Sequence, residues 1–273
     1  MVDVPQFATD WWVSRIDEST NGGCPESGFP EFQLDWGTGR AGMPGERTMQ
    51  KEHTVKTYEA EIRELNEAVL EMARCTMGQL ETAVRVIETR DSDLAAKLVS
   101  EDERVDELEM EVDALTVKLL ATRQPMAADL RMTVSVSKIA AELERIADYA
   151  AGMGKLVHCV DGETPAELIL SLRRMLEIAI GMLSELVVAY RDFDAVRAVA
   201  IWRRDDGIDR LYGDFLTQLQ LFMSKSPDRV RSGAGLLLMG RHSERIGDHL
   251  TNIAESIYFV ATGEKLPRPP NEP

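Results

Sequence analysis

Aromatic residues are scarce in this 273-residue chain, at 6%, and cysteines number only three, Cys24, Cys75 and Cys159, odd in count, far apart and without a CxxC pair. The first scarcity is in keeping with a helical composition, and the second argues against a disulfide framework or a zinc ribbon. A reducing, cytoplasmic setting is the simplest expectation. Basic charge is also short: 31 Lys and Arg face 47 Asp and Glu, for a formal charge of -16. No basic stripe stands out, so nucleic-acid binding is not expected, and basic proteins or cations are the more natural partners. No apolar run approaches the roughly 20 residues that span a bilayer, and the amino terminus lacks a basic head followed by an apolar stretch. Any membrane contact is expected to be peripheral, through partners.

What the chain does have is Leu, Ala, Met and charge, a composition suited to helices. Residues 1–48 are the exception. They hold Trp11, Trp12 and Trp36, three of the four tryptophans, among closely spaced Gly and Pro, which prevents a long helix. This segment is expected to be a disordered extension, or one that arises from an early start codon with Met49 as the true start; the alternative is a docking segment anchored by its tryptophans.

From about Val55 the pattern changes. Ile62, Leu65, Val69, Met72, Thr76, Leu80, Ala83 and Ile87 recur at three- and four-residue steps, the stripe of a long amphipathic helix. Asp91-Ser92-Asp93 supplies an N-cap for a second helix through Val105, Leu108, Val112, Leu115 and Leu119, which Arg123-Gln124-Pro125 ends. A third helix runs through Leu130, Val134, Ile139, Leu143 and Ile146. Cys159 to Thr164 reads as a linker. Thr164-Pro165-Ala166-Glu167 predicts an N-cap with Pro in the first helical position, opening a fourth helix with Leu168, Leu172, Met175, Ile178, Met182 and Val187. Asp192-Phe193-Asp194 predicts the start of a fifth, and Ser226-Pro227-Asp228 that of a sixth running to about Ala261.

The second three helices echo the first three. Glu144-Arg-Ile-Ala-Asp148 returns one hundred residues later as Glu244-Arg-Ile-Gly-Asp248, and Asp102 with Asp106 corresponds to Asp205 with Asp209. The reading is therefore all-α: six long helices in two pseudosymmetric three-helix bundles, residues 49–160 and 161–263, followed by a proline-rich tail over 264–273.

All four acidic pairs place two carboxylates at i and i+4 on one helix face, where like charges cost a few tenths of a kcal/mol. A cost repeated four times calls for a compensating cation. Carboxylates are hard ligands suited to magnesium, calcium, manganese or ferric iron; Arg145 and Arg245 are the competing source of neutralisation. The second copy continues with His249, Asn252 and Glu255, where the first has Tyr149, Gly152 and Lys155. No Glu-x-x-His di-iron pattern, phosphate-binding glycine loop or nucleophile motif accompanies them, so no enzymatic activity is expected.

Arg123-Gln-Pro-Met-Ala-Ala-Asp129-Leu-Arg131, Lys138-Ile-Ala-Ala-Glu-Leu-Glu-Arg-Ile-Ala-Asp148 and Met239-Gly-Arg-His-Ser-Glu-Arg-Ile-Gly-Asp-His-Leu-Thr-Asn-Ile-Ala-Glu255 resemble the PhoU family of bacterial phosphate-signalling proteins, over about Met49 to Gly263. The family's E(D)xxxD motif falls in all four expected places. The resemblance implies multinuclear metal clusters, iron or zinc, on the acidic faces, with Asp102, Asp106, Glu144, Asp148, Asp205, Asp209, Glu244, Asp248, His249, Asn252 and Glu255 as candidate ligands. Tyr149, Gly152 and Lys155 depart from the family's usual His, Asn and Glu, which sets the first cluster apart. The resemblance also implies a cytoplasmic adaptor between the ATPase of the phosphate ABC transporter (PstB-like) and a sensor histidine kinase (PhoR-like), which restrains the phosphate-starvation response. A homodimer is expected. The alternative class is a metal-storage or metal-buffering helical protein.

Overall fold

The computed structural model describes residues 48–267; the rest of the expected amino-terminal extension and residues 268–273 of the tail lie outside the described residues. The helices are α1 (Thr48–Thr89), α2 (Ser92–Arg123), α3 (Ala128–Leu156), α4 (Ala166–Asp192), α5 (Ala195–Trp202), α6 (Asp205–Ser224) and α7 (Val230–Thr262), with single 3-10 turns at Val157–Cys159 and Pro227–Arg229. Six are long and one is short, and no strand occurs among the described residues.

Local chemistry explains most of the boundaries. Asp91 caps α2 by accepting from the backbone N–H of Asp93 and Leu94, at 2.9 and 3.1 Å, and Gln124 ends it in the left-handed conformation at φ 48°. Gly263, at φ 79°, closes α7 where only a residue free of a Cβ adopts that backbone without strain. Two boundaries differ from expectation. Thr164 does not cap α4: its hydroxyl donates to Asp161, and Pro165 stands just before the helix rather than inside it. The fifth helix does start at Asp194, whose carboxylate accepts from the Arg197 N–H at 2.9 Å, but it breaks at Arg203 and Arg204 and restarts at Asp205. Neither Pro nor Gly sits at the break. Flanking it, Trp202 donates from its indole to Glu255 on α7, at 3.3 Å, and Arg204 pairs with Glu185 on α4.

Helices α3 and α7, which carry the repeated pentapeptide, pack on each other most extensively. To one side α3 meets α2, and to the other α7 meets α5 and α6, while α1 and α4 lie against this layer and against each other. Both copies share one hydrophobic core, in which Leu65, Met72, Leu80, Val136, Leu143, Ile146, Leu172, Met182, Phe215, Leu236 and Ile246 are buried. Leu130 and Val134, read as part of the α3 core stripe, are instead exposed; that stripe is carried by Met132, Val136, Ile139 and Leu143. Arg123 holds the far end of the first copy with a bidentate pair to Glu61, at 2.7 and 3.1 Å. No described helix is long and apolar enough to cross a membrane.

Candidate metal centre

The four acidic pairs meet two by two. In the first copy α2 carries Asp102 and Asp106 against Glu144 and Asp148 of α3. Burial pushes Asp102 up to about 6, and Asp148 and Asp106 add to it, while the Lys155 ammonium opposes them. Glu144 rises to about 7 through burial and the charges of Asp148, Glu109 and Asp106. In the second copy α6 carries Asp205 and Asp209 against Glu244 and Asp248 of α7. Asp205 reaches about 7 through burial and the charges of Asp209, Asp248 and Glu244. Burial first and Asp248 second also raise Asp209 and Glu244.

Raised carboxyl values at both places reflect burial first and, second, acids held together with little counter-charge. Arginines supply part of it in the second copy: Arg241 reaches Glu244 at 2.7 Å, and Arg245 lies 3.4 Å from Asp248 and 3.9 Å from Glu244. The balance is still incomplete. Asp102 Oδ1, Asp205 Oδ1 and Glu244 Oε2 are shut off from solvent and accept no hydrogen bond, an expensive arrangement for charged oxygens. Such orphaned oxygens fit a hard cation, and these carboxylates would hold it. No group of three His, Cys, Asp or Glu side chains among the described residues stands close enough to hold a metal ion as they are placed. Beside the second cluster lies a cleft of about 330 Å³, lined by Trp202, Asp205, Asp206, Asp248, His249 and Glu255 among others.

His249 and Asn252, read as extra donors for the second cluster, have another engagement. His249 Nδ1 lies 2.6 Å from Glu142 Oε2, and the Asn252 amide donates to the same oxygen at 3.0 Å. Burial raises the Glu142 carboxyl, but these two bonds outweigh it and leave it below its ordinary value. Glu142 was not legible as a site residue, because it lies outside the E(D)xxxD spacing and its partners are over one hundred residues away. At the pseudosymmetric place His242 stands where the first copy has Glu142. Its ring lies 5.2 Å from that of Tyr149, which also stacks on His249 at 5.5 Å. A Cβ on Gly152 would come within 2.7 Å of the His242 ring. Tyr149 and Gly152 are thus fitted to His242 across the α3–α7 interface. Glu255, the second copy's counterpart of the third departure, Lys155, accepts from Trp202.

A family model for the PhoU domain matches residues 69–157 and again residues 172–257, once in each copy. The chain belongs to the PhoU family. The phosphate-specific transport system accessory protein PhoU homolog of Caulobacter vibrioides is 38% identical over 216 residues, covering 79% of this chain and 94% of its own length. The phosphate-specific transport system accessory protein PhoU of Escherichia coli K12 is 32% identical over 212 residues, covering 78% and 88%. Among solved structures, PhoU from Pseudomonas aeruginosa superposes with a TM-score of 0.72 at 31% identity, over 76% of this chain and all of that one. The family model matches twice, so the duplication read from the pentapeptides is a repeat of the PhoU domain.

Proposed function

We propose that this PhoU-family chain is a non-enzymatic accessory protein of phosphate-specific transport that restrains the phosphate-starvation response. It works as a cytoplasmic homodimer, an adaptor between the transporter's ATPase (PstB-like) and a sensor histidine kinase (PhoR-like). The observation that carries this reading is the correspondence, over 79% of this chain and through both repeats, with proteins named as accessories of that transport system. Cations on the two acidic faces belong to the same reading: the buried carboxylate oxygens of Asp102 and Asp205 that accept no hydrogen bond leave a demand for positive charge that magnesium, manganese, iron or zinc would meet. Asp102, Asp106, Glu144 and Asp148 would hold one group, and Asp205, Asp209, Glu244 and Asp248 the other. Bound metal would pull α2 toward α3 and α6 toward α7 and so stiffen the two helix pairs that carry the clusters.

Deleting the gene should leave phosphate-starvation promoters active in phosphate-rich medium, read with a reporter fusion. Reporter output that stays low in the deletion strain would count decisively against the regulatory reading. Native mass measurement, which should give twice the chain mass, checks the dimer.

A further inference from the structure

The two pentapeptides differ at one position, Ala147 against Gly247, and the structure gives that methyl group a consequence. A Cβ built on Gly247 would sit 2.3 Å from Asp205 Oδ1 and 3.1 Å from Ile208 Cδ1. Asp205 therefore leans onto the bare backbone of α7, in space that a methyl group would fill, and its Oδ1 is solvent-free and without a hydrogen-bond partner. In the first copy the corresponding position is Ala147, whose methyl group is fully buried.

The surrounding charge differs in the same sense. The charged groups that act most on Asp205 are all acids: Asp209, Asp248, Glu244 and Asp206. Asp102 has the Lys155 ammonium working against its acidic neighbours. At the place of Lys155 the second copy has Glu255, another carboxylate, on the wall of the cleft. Arg241 and Arg245 make their ion pairs with Glu244 and Asp248 rather than with Asp205, although Arg245 lines the same cleft. A lysine beside a cation repels it, and an extra carboxylate attracts it.

We propose that Gly247 is a positioning residue: it seats the Asp205 carboxylate against α7 and makes the acidic face of the second copy the tighter of two unequal sites for a divalent cation. The inference rests on the cation reading given above. Manganese titration of the full chain by calorimetry tests it. Asp102→Asn with Asp106→Asn leaves the second site to be read, and Asp205→Asn with Asp209→Asn leaves the first.

The second site should bind Mn²⁺ on the order of tenfold more tightly than the first, the scale on which residues that orient metal ligands act. Gly247→Ala should remove most of that difference and leave the first site unchanged. Ala147→Gly should tighten the first site, a gain that a mere packing defect does not produce. Equal affinities at the two sites, or a Gly247→Ala second site as tight as before, would overturn the inference while the cation reading stands. Should Gly247→Ala lose its helical signal, the Ala147→Gly arm decides, and no tightening there overturns the inference. Failure of the unaltered protein to take up Mn²⁺ would sink both.

Discussion

Replacing Asp205 by Asn should stabilise the metal-free protein, although it alters a candidate ligand. The Asp205 carboxyl moves from 3.8 in the unfolded chain to about 7 in the fold, so between these values the native state holds a proton that the unfolded state has released. Native protein that binds more protons loses stability as pH rises through that window. The full displacement corresponds to about 4 kcal/mol. Asp205 is only half-buried, so solvent screening reduces the realised penalty to about 1–2 kcal/mol. Asn keeps the shape and removes the charge, and since Oδ1 accepts no hydrogen bond, no bond to that atom is lost. For a helical unit of this size the gain corresponds to a melting temperature higher by about 3–6 °C near pH 8. Thermal unfolding followed by circular dichroism in chelator reads it. The gain should fade as pH falls through 4 toward 3, where the folded and unfolded carboxyls are both largely protonated. A variant that melts lower than the parent near pH 8, or gains equally at both ends, would refute the reasoning. Adding Mn²⁺ should reverse the order, because the cation meets the charge that Asn lacks.

Glu142→Ala should cost about 1–3 kcal/mol in urea unfolding, because it leaves the His249 and Asn252 donors unpaired in the α3–α7 interface; a neutral result would show that water replaces the carboxylate. Gly152→Asn should destabilise by driving a side chain into the His242 ring, and adding His242→Glu should restore stability by rebuilding the Glu142–Asn252 bond at the pseudosymmetric place; absence of rescue in the double variant's melt would disprove that correspondence. Asp91→Ala should lose about 1 kcal/mol of stability through the α2 cap, and denaturation unchanged within error would show that the α1–α2 corner is held by packing alone.

Much of this architecture was legible in one dimension because it is set by local chemistry. Asp91, Asp194 and Gly263 terminate helices through their own side chain or the lack of one, and the four acidic pairs follow from the 3.6-residue period of the helix. The duplication was legible because Glu144 to Asp148 and Glu244 to Asp248 are nearly the same word. What the tertiary structure alone decided depends on groups far apart in the chain. The break at Arg203 and Arg204 carries no breaker residue, and its flanks are tied to Glu255 and Glu185. Leu130 and Val134 keep helical spacing with the core yet face outward, because periodicity sets a face only to within the width of a turn. Tyr149 and Gly152 looked like missing metal donors until His242 appeared beside them, since a sequence lists what a helix carries but not what the opposite helix brings to meet it. Glu142 and Gly247 gained their meaning in the same way, one from His249 and Asn252 across the interface, the other from a carboxylate on α6 that occupies the space of the absent methyl group.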